Sequence, residues 1–230
     1  YELLQPISNV DAAMADDAPI ILEDLIGDHL GEQVTNTNIA KIFRHEFGDV
    51  EDAFSKSDLV IERTVEMSMV HQGYIEPHNA TAIWAEDGNI TVWSSTQGSF
   101  GVRSQTAGLL GIPESKVKVN YVEIGGGFGG KTKVYFAPIA ALLSRKSGGR
   151  PVKFVMDRSS VFEASGPAPG GKIRMKIGVN KNGKITAADT DLMLESGGYP
   201  GSAVGAAGIC VLACYNIPAS RITGYDILVN

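Results

Sequence analysis

The stretch Glu123-Ile124-Gly125-Gly126-Gly127-Phe128-Gly129-Gly130-Lys131-Thr132 sets five glycines around one aromatic residue and ends on a lysine and a threonine. Glycine reaches positive φ at no steric cost and lets backbone N–H groups come close to a ligand, so this density describes a loop that wraps something. Two nucleotide patterns fit the loop. Gly125-x-Gly127-x-x-Gly130 is the dinucleotide fingerprint, and Gly125-x-x-x-x-Gly130-Lys131-Thr132 is a phosphate-binding loop in which Lys131 reaches the outer phosphates and Thr132 holds Mg²⁺. The elements that must position it are a strand entering, over the alternating Val117 to Val122, and a helix leaving, from Val134 to Leu143. Strand, glycine loop and helix together make an anion-binding geometry.

Other residues with chemical potential each have a plainer reading. Gln97, at the end of a strand, reads by itself as a cap on the following helix. Glu76, His78 and His71 suggest a metal site, but His78 follows Pro77 and no third ligand is in register, so structural hydrogen bonding is the better account. Phe128 reads as a core anchor and Lys131 as a solvated charge. Asp157-Arg158 reads as a helix-start acid with a surface ion pair. Cys210 and Cys214 lie on one face if their segment is helical, and read as buried reduced thiols; they offer neither a zinc set nor the thiolates of an iron–sulfur cluster.

The chain of 230 residues is 43% hydrophobic, enough for one large or two small cores. Its net charge of −6, without a run of Lys or Arg, argues against nucleic acid as a partner. The longest apolar run, Ile209 to Cys214, is too short to span a bilayer, and residues 1 to 30 hold no secretory pattern, so no membrane association and a cytoplasmic location are expected.

Along the chain, Tyr1-Glu2-Leu3-Leu4 reads as the tail of a strand, Pro6 to Asp24 as a connector without periodicity, and residues 28 to 40 as a polar loop. Asp49 caps a helix from Val50 to Lys56. A long strand is expected over Leu59 to Val70, a hairpin over Thr81 to Ala85 and Ile90 to Ser94 through Asp87-Gly88, and a helix over Gly98 to Leu110 ending at Gly111. Pro151 to Met156 reads as a strand. A flexible connection at Ser165 to Gly171 leads to a second hairpin over Lys172 to Val179 and Lys184 to Glu195. A helix over Ser202 to Cys214 and a strand over Ile222 to Val229 close the chain. The fold class expected is α+β, with mixed and antiparallel sheets, hairpins and packed helices.

That setting weighs against a nucleotide domain. A phosphate-loop strand is central and continuously apolar, whereas Lys116, Lys118, Asn120 and Glu123 interrupt this one, and the flanking elements are hairpins rather than strand–helix–strand crossovers. Asp157 keeps the reading alive as an acid facing the metal, although it lies late for the ribose-binding acid expected about 20 residues past a dinucleotide loop.

Tyr74-Ile75-Glu76-Pro77-His78-Asn79-Ala80, Val92-Trp93-Ser94-Ser95-Thr96-Gln97 and Gly125 to Lys131, in that order and spacing, resemble the molybdenum-cofactor-binding subunit of the xanthine dehydrogenase and aldehyde oxidase family. That broad family includes carbon monoxide dehydrogenase and 4-hydroxybenzoyl-CoA reductase, and the resemblance covers nearly the whole chain. It implies a molybdopterin-binding-domain fold carrying molybdopterin, or its cytosine dinucleotide, with molybdenum. The reaction implied is oxygen insertion from water into a C–H bond of a small molecule, with electrons leaving through iron–sulfur and FAD subunits or domains; a dimer is left open. By the same resemblance Gln97 matches the glutamine whose amide approaches the oxo ligand of the metal, and Gly126, Gly127, Phe128 and Gly129 match the loop against the cofactor. Thr132 stands where many members have a substrate-engaging glutamate, which argues against a purine-type hydroxylase. The catalytic glutamate of the family belongs to a later domain, so no catalytic residue and no direct metal ligand is assigned here. Residues 1–27 are expected to be a connector from a preceding domain and 28–230 a first molybdopterin-binding domain truncated at its C-terminal end, inactive alone. The competing functions are an ATP-binding domain using Gly125–Thr132 and a noncatalytic assembly remnant.

Overall fold

A computed structural model describes residues 4–230; the strand tail expected at Tyr1-Glu2-Leu3-Leu4 falls, apart from Leu4, outside them. In chain order the elements are α1 (Val10–Met14), β1 (Gly27–His29), β2 (Glu32–Val34), β3 (Ile39–Phe47), α2 (Val50–Ser55), β4 (Leu59–Met67), β5 (Asn79–Trp84), β6 (Ile90–Ser94) and α3 (Ser99–Leu110). They continue through β7 (Val117–Tyr121), α4 (Ala137–Lys146), β8 (Val152–Val155), α5 (Arg158–Ala164), β9 (Gly171–Val179), β10 (Ile185–Gly197), α6 (Val204–Cys210) and β11 (Ser220–Leu228). The α+β class expected from the sequence is the one observed. The chain forms two compact units, one made of residues up to Met69 together with Pro169–Asn230, the other of Val70–Ala168.

The first unit is built on a seven-stranded mixed sheet, β2-β1-β3-β11-β10-β9-β4. Its β9–β10 hairpin is antiparallel and turns where Asn180-Lys181-Asn182-Gly183 predicts. β11 then lies parallel to β10 after the α6 crossover. The polar loop expected over 28–40 is instead two short strands and the start of β3. β3 reads poorly because its charged residues find partners across the sheet: Glu46 lies opposite Arg221, and Lys41 pairs with Asp28. The connector also contains a helix. Asn9 caps α1 by accepting from the Ala12 N–H, and Val10 and Ala13 pack with Ile7, Ile227 and Val229 in a buried cluster. α6 ends at Cys210, and both cysteines are exposed free thiols, so the expectation of a shared buried face is corrected.

The second unit holds the glycine loop. Its four-stranded sheet runs β7-β6-β5-β8, with β5 antiparallel to both neighbours and β6 parallel to β7 through the α3 crossover. Small residues let α4 lie close on the sheet: Ala137, Ala140 and Ala141 meet Ala80, Ala82, Ile90 and Val92 in one fully buried cluster. Gly111 ends α3 in the left-handed conformation at φ 65°, as its sequence position predicts. α4 starts three residues later than expected, with Pro138 tolerated in its first turn.

Candidate functional site

Each loop glycine has its own reason. Gly126 and Gly129 sit at φ 91° and 92°, where a side chain is strained. At the other three it is close approach that excludes a side chain: a Cβ on Gly125 would lie 2.6 Å from Glu76 Cβ, one on Gly127 2.5 Å from Gln97 Oε1, and one on Gly130 2.8 Å from Tyr74 Cε1. Phe128, at the tip, is held at φ 50°, an uncommon conformation for an aromatic residue, and is 73% exposed. It is not the core anchor that its size suggested.

Gln97 follows β6 and is laced to this loop. Its backbone N–H donates to the Lys131 carbonyl at 2.9 Å, and its side-chain Oε1 accepts from the N–H groups of Gly129 at 3.0 Å and Lys131 at 3.1 Å. An amide whose oxygen already accepts two N–H groups has its orientation set, and its nitrogen becomes the free end. Among the described residues Gln97 Nε2 donates to no partner, and the residue is exposed. Gln97 does not cap α3, whose first turn has no side-chain cap.

Beneath the loop lies a buried polar knot. The Lys131 side chain is 0% exposed, with Nζ 2.8 Å from Glu76 Oε2, 2.8 Å from Ser95 Oγ and 5.0 Å above the Tyr74 ring. Glu76 also accepts from Ser95 Oγ at 2.5 Å, the Gly125 N–H at 2.7 Å and Asn79 Nδ2 at 3.1 Å. Partial burial pushes the Glu76 carboxyl up, but the hydrogen bonds from Lys131, Ser95, Gly125 and Asn79 outweigh it and bring the pKa down to about 2. Lys131 is therefore not a solvated charge.

The same geometry overturns the ATP-binding reading. Lys131 cannot reach a phosphate without abandoning Glu76, and the Thr132 hydroxyl donates to the Gly129 carbonyl at 3.2 Å. β7 is an edge strand, and α4 does not begin until Ala137, so the helix that follows the loop does not start at its end as a phosphate-binding loop requires. Asp157 is the N-cap of α5, accepting from the Ser160 N–H at 2.7 Å. Among the described residues Arg158 forms no ion pair, which corrects the surface pair expected for it; its guanidinium donates to the carbonyls of Tyr74 and Ile75.

The structural reading of His78 stands. It is 3% exposed, its Nε2 is 2.7 Å from the Tyr74 hydroxyl, and that hydroxyl is 3.1 Å from Ser165 Oγ, which His71 also contacts at 3.0 Å. Desolvation, then the positive charge of Lys131, lowers the pKa of His78 to about 4. Among the described residues no cluster of three or more His, Cys, Asp or Glu is placed to hold a metal ion. Sequence reasoning singled out Gln97 and the loop, which the structure brings together, but not the Lys131–Glu76 pair beneath them. The available signal was a lysine inside a glycine loop and an acid inside the Tyr74–Ala80 segment, two opposite charges in otherwise weakly charged motifs.

Among the described residues no helix is long and apolar enough to cross a membrane. The profile of the family described as "Molybdopterin cofactor-binding domain" matches residues 31–230. The chain is 29% identical to the nicotinate dehydrogenase large molybdopterin subunit of Eubacterium barkeri over 100% of its own length and 52% of that protein. It is 31% identical to the xanthine dehydrogenase molybdenum-binding subunit of Escherichia coli, over 86% of this chain and 25% of that one. Reconstituted CO dehydrogenase from Oligotropha carboxidovorans superposes with a TM-score of 0.78 at 26% identity, covering 100% of this chain and 30% of that one. The chain thus spans from a quarter to about half the length of these relatives. It belongs to the molybdopterin cofactor-binding domain family, the domain carried by the molybdenum subunits of xanthine dehydrogenase-type oxidoreductases.

Proposed function

We propose that this chain forms one wall of the molybdenum–molybdopterin site of an oxidoreductase that hydroxylates a C–H bond of an aldehyde or N-heterocycle, with water as the oxygen source. The observation that carries the reading is the free, exposed carboxamide nitrogen of Gln97, held in place because its oxygen is taken by two loop N–H groups. The donor set fits a molybdenum pterin better than a nucleotide phosphate: an uncharged N–H donor stands beside an exposed loop, while the one lysine of the loop is turned inward.

When bound, the cofactor, as molybdopterin or its cytosine dinucleotide, supplies the two-electron redox chemistry. Gln97 would offer its N–H to that group, Gly126, Gly127 and Gly129 would let backbone come close to it, and Phe128 would shield it from water. Glu76, with its pKa near 2 and its oxygens occupied, is not a proton acceptor at neutral pH, so the base comes from elsewhere in the enzyme. Residues 28–230 belong in this reading to the first molybdopterin-binding domain, and residues 1–27 to the connector. Iron–sulfur and FAD subunits or domains take the electrons, in the cytoplasm.

Metal and pterin analysis of the complete subunit, purified with its partner subunits, tests the reading alongside Gln97→Ala. Stoichiometric molybdenum with altered turnover in the variant is the expected result. A correctly folded subunit without molybdenum, in a host that loads related enzymes, overturns it.

A further inference from the structure

Lys131 touches the candidate site with every polar group it has except the one that would reach a ligand. Its N–H donates to Gln97 Oε1, and its carbonyl accepts from the Gln97 N–H and from Thr96 Oγ1 at 3.0 Å. Its ammonium is buried against Glu76 and Ser95. Glu76 does the same at the other end of the loop: its carboxylate accepts from the Gly125 N–H, and its own N–H donates to the Gly125 carbonyl at 3.2 Å. One residue thus grips the first residue of the loop and the other is its last. Between them the Gly130 N–H closes back on the Gly127 carbonyl at 2.7 Å, with Phe128 at the turned tip.

We infer that Lys131 and Glu76 are a positioning pair, a partly buried strut that closes the base of the 125–131 loop and through it aims the carboxamide of Gln97. The inference rests on the functional reading above for what the carboxamide faces, and on the geometry alone for the strut. Two other roles fit less well. A phosphate ligand needs an ammonium with access to the site, and this one has none. A purely stabilising role is weakly served by charge, because a buried ion pair gains little over a well-packed apolar pair of equal volume. What an ion pair adds is a single allowed geometry, and here that geometry is transmitted to both N–H groups that Gln97 accepts.

The test uses the complete molybdenum subunit from cells unable to make molybdopterin, and the loaded enzyme beside it. The variants are Lys131→Met and the double variant Glu76→Gln/Lys131→Met; the double one leaves no unpaired charge and carries the test if the single one does not fold. In the cofactor-free subunit the strut predicts that amide hydrogen exchange across residues 125–131 rises by about tenfold or more while β5 and β6 keep their protection. In the loaded enzyme the variants retain pterin, but the paramagnetic signal of the molybdenum changes shape. Unchanged exchange in a folded variant overturns the strut. Loss of pterin with unchanged exchange also overturns it and makes Lys131 a ligand. Wild-type subunit that carries no molybdenum sinks the functional reading instead, and the exchange measurement on the cofactor-free subunit still decides the strut.

Discussion

Gln97 does two jobs with the two ends of one amide, and substitution can separate them. Gln97→Glu keeps an acceptor for the Gly129 and Lys131 N–H groups and makes those bonds charge-assisted, but removes the outward N–H donor. We expect melting within a degree or two of wild type, on the order of a few tenths of a kcal/mol, with kcat lowered by about a hundredfold, the usual effect of removing one preorganised donor. Gln97→Ala loses both loop bonds as well, about 1–3 kcal/mol of local stability, and shows it as faster proteolysis near Phe128. Equal losses of activity and melting temperature in both variants would refute the separation. His78 gives a pH prediction. Its folded pKa of about 4 lies below the unfolded value near 6.5, so the unfolded chain binds the extra proton first. Stability is therefore full above about pH 6.5 and falls as the pH drops toward 4, by on the order of 2–4 kcal/mol. His78→Asn should flatten that part of a denaturation-versus-pH curve, whereas Glu76 acts lower, between its unfolded carboxylate range and about 2. At this scale the sequence singled out residues whose type is rare for their setting, such as Phe128 among glycines, although its reading as a core anchor was wrong. It misled on Lys131, because a lysine is almost never fully buried and nothing local announces its distant carboxylate.

Elements whose partners lie next to them in the chain were legible. The Asp87-Gly88 and Asn180–Gly183 hairpins, the Asp49 and Asp157 caps and the Gly111 stop all express local backbone preferences. β3 was not, because its polar residues answer strands far away. Arg221 on β11 stands opposite Glu46 on β3 and Asp189 on β10, with nitrogen–oxygen distances of 3.0 and 3.7 Å, and Arg174 on β9 stands opposite Asp191 at 3.0 Å and reaches Glu62 on β4 at 2.7 Å. On β3 such cross-sheet pairs stand where the apolar alternation that marks a strand would otherwise be, whereas β4, β9 and β10 keep it beside theirs. The start of β9 shows how tightly such strands pack. Gly171 has φ 148°, and a Cβ there would lie 2.1 Å from the Met193 carbonyl oxygen across the β9–β10 pair. Gly171→Ala should destabilise the first unit by on the order of 3 kcal/mol or more, against about 1 kcal/mol for Asp157→Ala, which removes only the α5 cap. Chemical denaturation of the two variants compares them; similar midpoints would mean that the β9–β10 pair relaxes around the added methyl.

The seven-stranded sheet takes its strands from both ends of the chain, and Val70–Ala168 leaves it after β4 and returns before β9. No local pattern could have disclosed that arrangement, since β4 and β9 each read as an ordinary alternating strand and only their pairing, Met67 opposite Gly171, reveals the excursion. The excursion is closed at its neck by its own backbone: the Ala168 N–H donates to the Val70 carbonyl at 2.8 Å and the Val70 N–H to the Ala168 carbonyl at 3.3 Å. Its sheet and its cluster around Ala82, Val92 and Ala140 are drawn entirely from its own residues. An inserted unit with adjoining ends and its own core has the anatomy that tolerates excision. We expect Val70–Ala168, expressed alone, to unfold in one cooperative transition with protected β5 and β6 amides. The remaining chain, with a short Asn-Gly turn joining Met69 to Pro169, should keep its β4–β9 pairing and lose no more than about 1 kcal/mol, because the folded insert already held those strand ends together and a short turn closes a smaller loop. Calorimetry of both pieces beside the intact chain decides it. Two separate transitions that reproduce the behaviour of the intact chain would make the units thermodynamically independent, so that the glycine loop and Gln97 owe their geometry to the insert alone. Failure of Val70–Ala168 to fold would instead place part of that geometry under the control of the seven-stranded sheet.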